Sequence, residues 1–438
     1  MKSIVHSIYF KLFAIGILAL LLLIPTAMIE NLVRDRENTR FDAVNEVSSK
    51  WGYAQTLTGP FLSIPYTRYT VSETTSGSKI VTENRERLHI LPEKLAITGT
   101  LNPQTRKRGI YEIPVYTTDV RFNGEFVLPD LSTLDVPVSD LEFDKAELVL
   151  GVTDLRGIQS QIEVEWDATS TLFAPGTPSN DVVDSGLHTT VDMTNDSART
   201  YPFGLSLSLR GSSHLYVVPM GKVTTVNLAS SWPDPKFNGA FLPNDPTPSP
   251  DGFAAEWTVL DLNRNFPQWW TNSKHSVYDA AFGVDLLVPV DDYQKTYRSI
   301  HYAILFIGLT FMVFFFIEVS KKVHIHSIQY LLVGMALVVF YTLLLSTSEH
   351  IDYNLAFGLS AGATIALITG YVKAVLKSGA LTVLIAGILS VLYGFIFVVI
   401  QLQDFALLIG SIGIFLILAL TMYFSRKIDW SSARSGDA

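Results

Sequence analysis

The sequence predicts a membrane protein. Its expected fold is an α-helical bundle of six spans, one N-terminal and five C-terminal, with a large mainly-β, sandwich-like domain between them. Hydrophobic residues make up 48% of the 438 residues and charged residues only 17%, below the average of about 25% for soluble domains. Long apolar runs lie near the two ends of the chain, and short stretches rich in β-branched and aromatic residues fill the middle. These two patterns are typical of membrane helices and of β-strands.

Six apolar segments are long enough to cross a bilayer, whose hydrocarbon core of about 30 Å requires roughly 20 residues of helix. The expected spans are residues 12–29, 302–319, 328–346, 353–376, 380–400 and 404–424. Lys2 and Lys11 precede the first span, as in a signal peptide, but the apolar run is long and no small-x-small cleavage site follows it. We therefore expect residues 1–29 to stay attached as a short N-terminus and a first transmembrane helix.

The short loops alternate in charge. The loops after the second and fourth spans and the tail, residues 425–438, contain Lys or Arg. The alternate loops hold Glu349 and Asp352, and then Asp404, with no Lys or Arg. Basic loops stay in the cytoplasm. We therefore expect both termini in the cytoplasm and residues 30–301 outside it.

The long middle segment is acidic. Between residues 30 and 301, Asp and Glu number 35 against 23 Lys and Arg. This balance argues against nucleic acid as a partner, because binding to phosphates requires basic patches. The chain has no cysteine, which excludes disulfides, thiolate metal sites and cysteine nucleophiles.

The middle segment is expected to begin as a helix and to continue as strands. Residues 33–51 have apolar side chains near helical spacing, so the first helix is expected to extend out of the membrane. After Gly59-Pro60, short β-rich runs are separated by Gly, Pro, Asn and Asp; the run FGLSLSLRG alternates apolar and small residues. The pattern predicts a mainly antiparallel sandwich or a pair of sandwiches.

No nucleotide-binding, zinc-peptidase or hydrolase motif occurs in the chain, so the sequence predicts no catalytic, cofactor-binding or metal-binding residue. Residues 231–243 and 264–270 are rich in aromatics and prolines. Exposed aromatics could bind glycan or peptide, although packing in the β-domain core is the favoured interpretation.

Glu318 lies inside a predicted span, where a carboxylate suggests function by default. It is near the cytoplasmic end of that span and four residues before Lys322. An ion pair between these two residues along one helix face is the favoured interpretation.

The stretch LLLSTSEHIDY, residues 343–353, places Glu349, His350 and Asp352 at the end of an apolar run. These residue types could form a proton relay, a metal site or a catalytic cluster. The predicted topology places them in a short extracytoplasmic turn, which favours a polar turn that sets orientation. The alternative is a docking contact with the outer domain, near Lys295 or Arg298.

Four stretches of the chain carry a resemblance to a known family. They are residues 218–243, 282–311, 323–353 and 406–430, beginning with VPMGKVTTVNLASSWPDPKFNGAFLP. Together they resemble the CreD family of bacterial inner-membrane proteins. The resemblance implies a multi-pass inner-membrane protein of a Gram-negative bacterium, with a large periplasmic domain. It also implies a link to envelope integrity, colicin tolerance and β-lactam stress. It supplies no catalytic or ligand residues.

The sequence therefore favours a non-enzymatic envelope protein, without a cofactor, that acts through periplasmic protein, lipid or cell-wall contacts. A transporter or lipid-handling protein is the alternative, since Gly358, Gly362 and Gly370 could permit close helix packing. A cell-wall enzyme would need clustered acids, and Glu163 and Glu165 on one strand face are more typical of a solvated face. The expected partners are the lipid bilayer and envelope components; the oligomeric state is not predicted.

Overall fold

The computed structural model describes residues 8–73, 79–130, 136–194, 199–271, 275–286, 291–321, 323–402 and 405–426. Contacts divide the chain into two compact units. The membrane unit comprises Met1–Phe41 and Val290–Ala438, and the β unit comprises Asp42–Pro289.

Seven helices are described. They are α1 (Ile8–Trp51), α2 (Asp291–His301), α3 (Ala303–Lys321), α4 (Ser327–Ser348), α5 (Tyr353–Leu376), α6 (Gly379–Gln401) and α7 (Ala406–Ser425). By length and composition, α1 and α3 to α6 could each cross a membrane, and α7 contains the apolar stretch Leu408–Tyr423. The six predicted spans correspond to these six helices, which confirms the predicted membrane bundle. Residues 403 and 404, where the last span was expected to begin, lie outside the described residues.

The core of the membrane unit is rich in aromatic side chains. The Phe306 ring centroid lies 4.7 Å from that of Tyr393, and the Phe340 ring lies 4.8 Å from the same tyrosine. A Cβ atom added at Gly334 of α4 would meet Leu22 Cδ1 of α1 at 2.2 Å. Gly334 therefore permits the close approach of these two helices.

The glycines expected to support close packing do not do so. Around Gly358, Gly362 and Gly370 of α5, an added Cβ would meet nothing within 4 Å among the described residues. These three glycines face open space because α5 directs its buried stripe, which includes Ala356, in another direction.

In the described part of the β unit, seventeen strands form two sheets. They are β1 (Gln55–Glu73), β2 (Lys79–Ile90), β3 (Lys94–Arg108), β4 (Tyr111–Val127), β5 (Glu147–Val152), β6 (Glu163–Trp166), β7 (Thr169–Leu172), β8 (Ala174–Pro175), β9 (Gly186–Thr190), β10 (Thr200–Ser212), β11 (His214–Val218), β12 (Val223–Ser230), β13 (Pro235–Gly239), β14 (Thr247–Ser249), β15 (Gly252–Leu260), β16 (Trp269–Thr271) and β17 (Phe282–Leu286).

The first sheet has nine strands in the order β13-β17-β11-β1-β5-β9-β8, with β2 paired to β1 and β16 paired to β2. The second sheet has eight strands in the order β14-β15-β12-β3-β4-β10-β6-β7. Pairing is antiparallel except between β1 and β11 and between β3 and β12, which are parallel.

Buried side chains of both sheets form one continuous hydrophobic cluster. It includes Phe61 and Leu148 from the first sheet and Phe122 and Trp257 from the second. Alternation of buried and exposed positions along β12 and β15 produces this arrangement, since successive side chains of a strand point to opposite faces. The mainly-β sandwich is confirmed, and the described strands form one sandwich rather than two.

The predicted continuation of the first helix is also confirmed, because α1 extends to Trp51. Its last part belongs to the β unit, where Ala43 joins a small cluster with Ile113 and Val115 of β4. Trp51 Nε1 donates a hydrogen bond to the Tyr116 carbonyl oxygen at 3.2 Å.

The contact-based units differ from the predicted outer domain. Residues 30–301 were expected outside the membrane, whereas the β unit is Asp42–Pro289 and α2 groups with the membrane helices. The side of the membrane on which each segment lies stays a prediction.

Candidate functional site

A polar cleft of about 710 Å³ lies on the outer face of the second sheet. We call it the sheet groove. Its polar lining includes Thr98, Thr100, Asp119, Arg121, Asn227 and Glu256, from the four adjacent strands β3, β4, β12 and β15.

The strand period explains why these side chains face outward. On β3, Leu95, Ile97 and Leu101 are buried in the core, while Thr98 and Thr100 between them are exposed. A strand with this alternation directs one face to the core and the other to the surface. The groove is therefore the solvent face of a sheet whose opposite face holds the sandwich together.

Strand register aligns the groove residues in rows across the sheet. One row consists of Glu256, Asn227, Thr98, Arg121 and Ser206, on β15, β12, β3, β4 and β10. Neighbouring strands lie roughly 4.8 Å apart, so this row of five polar residues extends over about 19 Å. The next row contains Thr100, Asp119 and Ser208 at its centre.

Two charged side chains at the centre of the groove differ in their bonding. Asp119 Oδ1 accepts a hydrogen bond from Ser208 Oγ at 2.5 Å. Arg121 is exposed and has no ion pair with any side chain in the described part of the chain. Its guanidinium group can therefore bind an anionic group of a ligand without first breaking an ion pair.

A loop closes one side of the groove. Asp245 of this loop and Thr247, the first residue of β14, line it there. The loop is held by a hydrogen bond from Asn244 N to the Glu256 carbonyl oxygen at 2.8 Å, and β14 pairs with β15 beyond it. The groove is thus open to solvent and bounded by the loop on one side.

The groove is suited to binding through hydrogen bonds. Threonine and asparagine provide both donors and acceptors, and Arg121, Asp119 and Glu256 provide both charge signs. The described lining contains no His, Cys, Lys or aromatic side chain. Across the described residues, no group of three or more His, Cys, Asp or Glu side chains could hold a metal ion.

The conspicuous aromatic stretches do not form a surface site. Trp270 is 4% exposed and Phe266 is 6% exposed, and both belong to the sandwich core. Phe237 and Phe241 are half-buried against the same core. The packing interpretation of residues 231–243 and 264–270 is therefore confirmed.

The predicted trio at the end of α4 does not converge. Asp352 caps the N-terminus of α5 by accepting a hydrogen bond from Asn354 N at 2.8 Å, and His350 is exposed. Glu349 Oε1 lies 3.5 Å from Arg36 Nε and accepts a hydrogen bond from Tyr293 Oη at 3.3 Å. Within the membrane unit, Glu349 thus contacts α1 and α2. A docking contact with the outer domain stays a prediction.

The predicted partner of Glu318, Lys322, lies outside the described residues. The Glu318 carboxylate forms an ion pair with Lys11 of α1. It also accepts hydrogen bonds from Ile325 N at 3.1 Å and from Tyr330 Oη at 3.0 Å. The structure therefore supports a structural role for this carboxylate.

Sequence reasoning missed two features. The first is the ion pair between Lys11 and Glu318, which are 307 residues apart. The sequence signal for it was that Lys11 lies at the start of one predicted span and Glu318 at the end of the next. Spans that run in opposite directions place these ends together. The sheet groove was missed because Thr98, Thr100 and Asn102 are individually ordinary surface residues. The alternation of small polar residues on neighbouring strands was its signal.

Comparison with known proteins gives the family. The family model described as "Inner membrane protein CreD" matches residues 7–431. The chain belongs to the CreD family. It is 34% identical over 428 residues to the inner membrane protein CreD of Escherichia coli (strain K12), covering 97% of this chain and 94% of that one. The chain is therefore an inner-membrane protein, as its resemblance to the CreD family implied.

Similarity to solved structures is slight. The chain is 11% identical to an M1 zinc metallopeptidase from Deinococcus radiodurans, with a TM-score of 0.23 over 45% of this chain and 42% of that one. A point mutant of that peptidase gives a TM-score of 0.20 at 11% identity, over 39% of this chain and 38% of that one. These scores are too low to support an argument about this chain.

Proposed function

We propose that this protein supports the integrity of the cell envelope and that its β unit acts on the periplasmic side, by binding rather than by catalysis. The observation that carries the proposal is the sheet groove, an open polar cleft of about 710 Å³ on a sandwich with one continuous core. Membership of the CreD family places such a surface in an inner-membrane protein.

The groove side chains suit recognition because little freedom is lost when they bind. Thr98, Thr100 and Asn227 are short side chains on central strands of a sheet. Short side chains lose less rotamer entropy on binding than Lys, Arg or Glu do. A row of five polar residues also matches an extended ligand better than a compact one.

The charges of the groove indicate the chemistry of that ligand. Arg121 fits a carboxylate, and Asp119 and Glu256, which lie three strands apart, each fit an ammonium group. An extended ligand with both groups is a peptide with charged side chains or ends, as in the peptide portion of the cell wall. We propose cell-wall peptide as the bound component.

Complementation tests the proposal. In a host that lacks the gene, we expect the full-length chain to restore growth in the presence of a detergent and a β-lactam. The double variant Arg121→Ala/Asp119→Asn should restore it poorly. Lys107→Ala removes an exposed cation from the same unit, 74% exposed and paired with Glu112, and should complement fully. Equal complementation by all three chains would contradict a role for the groove.

Crosslinking tests the ligand directly. A photoreactive residue at Thr98 should capture muramyl-peptide fragments in cells, and one at Lys107 should not. Turnover of cell-wall material by the purified chain, abolished by Asp119→Asn, would overturn the proposal in favour of an enzyme.

A further inference from the structure

A second cleft lies within the membrane unit, between the part of α1 beyond its apolar segment and α2. Its volume is about 630 Å³, within the range of small-molecule sites. We call it the juxtamembrane cleft. It is lined by Arg34, Glu37, Asn38, Tyr293, Tyr297 and Arg298, among others.

Chain geometry places the two arginines of the cleft near the depth of lipid headgroups. Arg34 is five residues beyond Ile29, where the apolar run of α1 ends, and a helix rises 1.5 Å per residue, which gives about 7.5 Å. Arg298 is four residues before Tyr302, where the next apolar run begins, which gives about 6 Å. The headgroup layer on each side of the hydrocarbon core is roughly 5 to 7 Å thick.

One cation of the cleft is already bonded. Arg34 Nη2 donates to Glu30 Oε1 at 2.7 Å and to Tyr297 Oη at 2.9 Å. The bond to Tyr297 joins α1 to α2 on one side of the cleft, and the bond to Glu30, within α1, orients the guanidinium group. Arg34 is therefore a positioning residue.

The other cation, Arg298, is bonded differently. Within the described part of the chain, its buried Nε has no hydrogen-bond partner and no carboxylate pairs with its side chain. A buried guanidinium donor without an acceptor is unfavourable, and such groups are rare in folded proteins. A phosphate oxygen would satisfy it, because guanidinium groups bind phosphate through directed hydrogen bonds.

The cleft also contains a carboxylate without a partner in the described residues. Glu37 is half-buried, and neither a salt bridge nor a hydrogen bond engages it there. It is eight residues beyond Ile29, about 12 Å along the helix, and thus farther from the hydrocarbon core than Arg298. The cleft therefore presents a cation at the inner position and an anion at the outer one.

We infer that the juxtamembrane cleft binds the headgroup of a zwitterionic amino-phospholipid, with its phosphate on Arg298 and its ammonium group on Glu37. In such a headgroup the phosphate joins the glycerol, near the hydrocarbon core, and the ammonium group is at the free end. This order matches the order of the two charges. The inference concerns a different site from the sheet groove and does not depend on the function proposed for it.

Native mass spectrometry of the full-length chain in detergent tests the inference. The probe is an equimolar mixture of phosphatidylethanolamine and phosphatidylglycerol with identical acyl chains. We expect preferential retention of phosphatidylethanolamine and a loss of about tenfold or more in its retention in Arg298→Gln. Arg298→Lys, which keeps the charge, should retain part of it. Arg426→Gln, an arginine variant at the end of α7 with its guanidinium 4.2 Å from the Tyr423 ring, should bind lipid like the original chain.

Glu37→Gln tests the contact with the ammonium group separately from the contact with the phosphate. This variant should keep lipid but lose the preference for phosphatidylethanolamine over phosphatidylglycerol. Equal retention of both lipids by the original chain would overturn the ammonium assignment. Equal lipid retention by Arg298→Gln and Arg426→Gln would overturn the site.

Soluble headgroups distinguish a lipid from a free phosphate ligand. Phosphoethanolamine or inorganic phosphate at the lipid concentration should neither bind nor displace the lipid. If either binds as well as the lipid does, the site takes a soluble phosphate compound and the lipid assignment is wrong.

Discussion

The β unit and the membrane unit each bury an ionisable side chain, and they neutralise it in different ways. His89 of β2 is 0% exposed in the β unit, and Glu318 of α3 is 8% exposed in the membrane unit. Burial of a charge is unfavourable in both places unless the charge is removed or compensated.

In the β unit the charge is removed. The His89 ring packs against Phe61 and Trp270, with centroid distances of 5.9 and 5.8 Å. Nε2 lies 3.4 Å from Asp181 Oδ2 but without hydrogen-bond geometry, and neither ring nitrogen has a hydrogen-bond partner among the residues that the structure describes. Burial lowers the pKa of His89 to about 4, despite the opposing effect of Asp181. The ring is therefore neutral at pH 7.

In the membrane unit the charge is compensated. Glu318 has a cation, Lys11, and two further hydrogen-bond donors, Ile325 N and Tyr330 Oη. The difference follows from the side-chain chemistry. An imidazole loses its charge by releasing a proton at neutral pH, whereas a carboxylate is ordinarily ionised there and needs donors around it.

The largest expected effect comes from removing the partner of Glu318. Lys11→Ala should lower the free energy of unfolding of the chain in detergent by about 3 kcal/mol, because it leaves a buried carboxylate without its cation. Thermal unfolding in detergent measures this.

The control for that variant is Lys11→Met with Glu318→Gln, which removes both charges and keeps an acceptor for Ile325 N. It should recover most of the lost stability. If the double variant is less stable than Lys11→Ala, the ion pair is not what stabilises this end of the bundle.

A pH-dependent effect is expected for His89. Its pKa is lowered from 6.5 to about 4 in the folded state, so between these values the unfolded chain binds a proton that the folded chain does not. The contribution of His89 to the free energy of unfolding is therefore fully present above pH 6.5. It is lost as the pH falls to about 4, and the total loss is about 3 kcal/mol. Denaturant unfolding followed by tryptophan fluorescence at several pH values measures this.

His89→Leu provides the comparison for the pH series. It cannot take up a proton, so the acid-dependent loss of stability should shrink by the amount that His89 contributes. An unchanged pH profile in this variant would show that other groups cause the acid sensitivity.

A smaller effect is expected from helix packing in the membrane unit. In Gly334→Ala the added Cβ meets Leu22 Cδ1 at 2.2 Å and Phe311 Cζ at 2.9 Å, so these side chains or their helices must move, with an expected loss of about 1 to 3 kcal/mol. Gly362→Ala is the matched control, since its Cβ meets nothing within 4 Å among the described residues. Equal melting temperatures for the two variants would contradict the close contact of α1 with α4.

The smallest effect is expected at Glu349. Its ion pair with Arg36 is partly exposed, with the Arg36 side chain 47% exposed, and such pairs contribute about 1 kcal/mol or less. Glu349→Ala with His350→Ala should leave membrane insertion intact. If the predicted docking contact with the outer domain exists, the variant should also show faster proteolysis of that domain. An unchanged cleavage rate would contradict docking, and Asp279→Ala, an exposed substitution in the β unit, controls for general effects.

The local patterns of the sequence predicted most of the fold. Apolar runs long enough for a bilayer identified α1 and α3 to α7, and the spacing of Val44, Val47 and Trp51 predicted that α1 continues beyond its span. Alternation in FGLSLSLRG predicted β10. These features depend on neighbouring residues, and their periods of 3.6 and 2 are visible in one short stretch of chain.

The candidate sites could be identified only from the tertiary structure. The row that contains Arg121, Thr98 and Asn227 depends on the register of three strands, two of them parallel and far apart in sequence. The juxtamembrane cleft likewise joins Glu37 to Arg298, which nothing in either local sequence links.

By itself, the sequence determined the membrane helices, the β-rich middle, the acidic balance and the family. Only the tertiary structure decided that Glu318 pairs with Lys11, that Trp270 packs in the core, and that the conspicuous trio at 349–352 does not converge. The physical reason is that hydropathy and backbone period act between near neighbours. Partners of buried charges are selected by the packing of segments that are hundreds of residues apart.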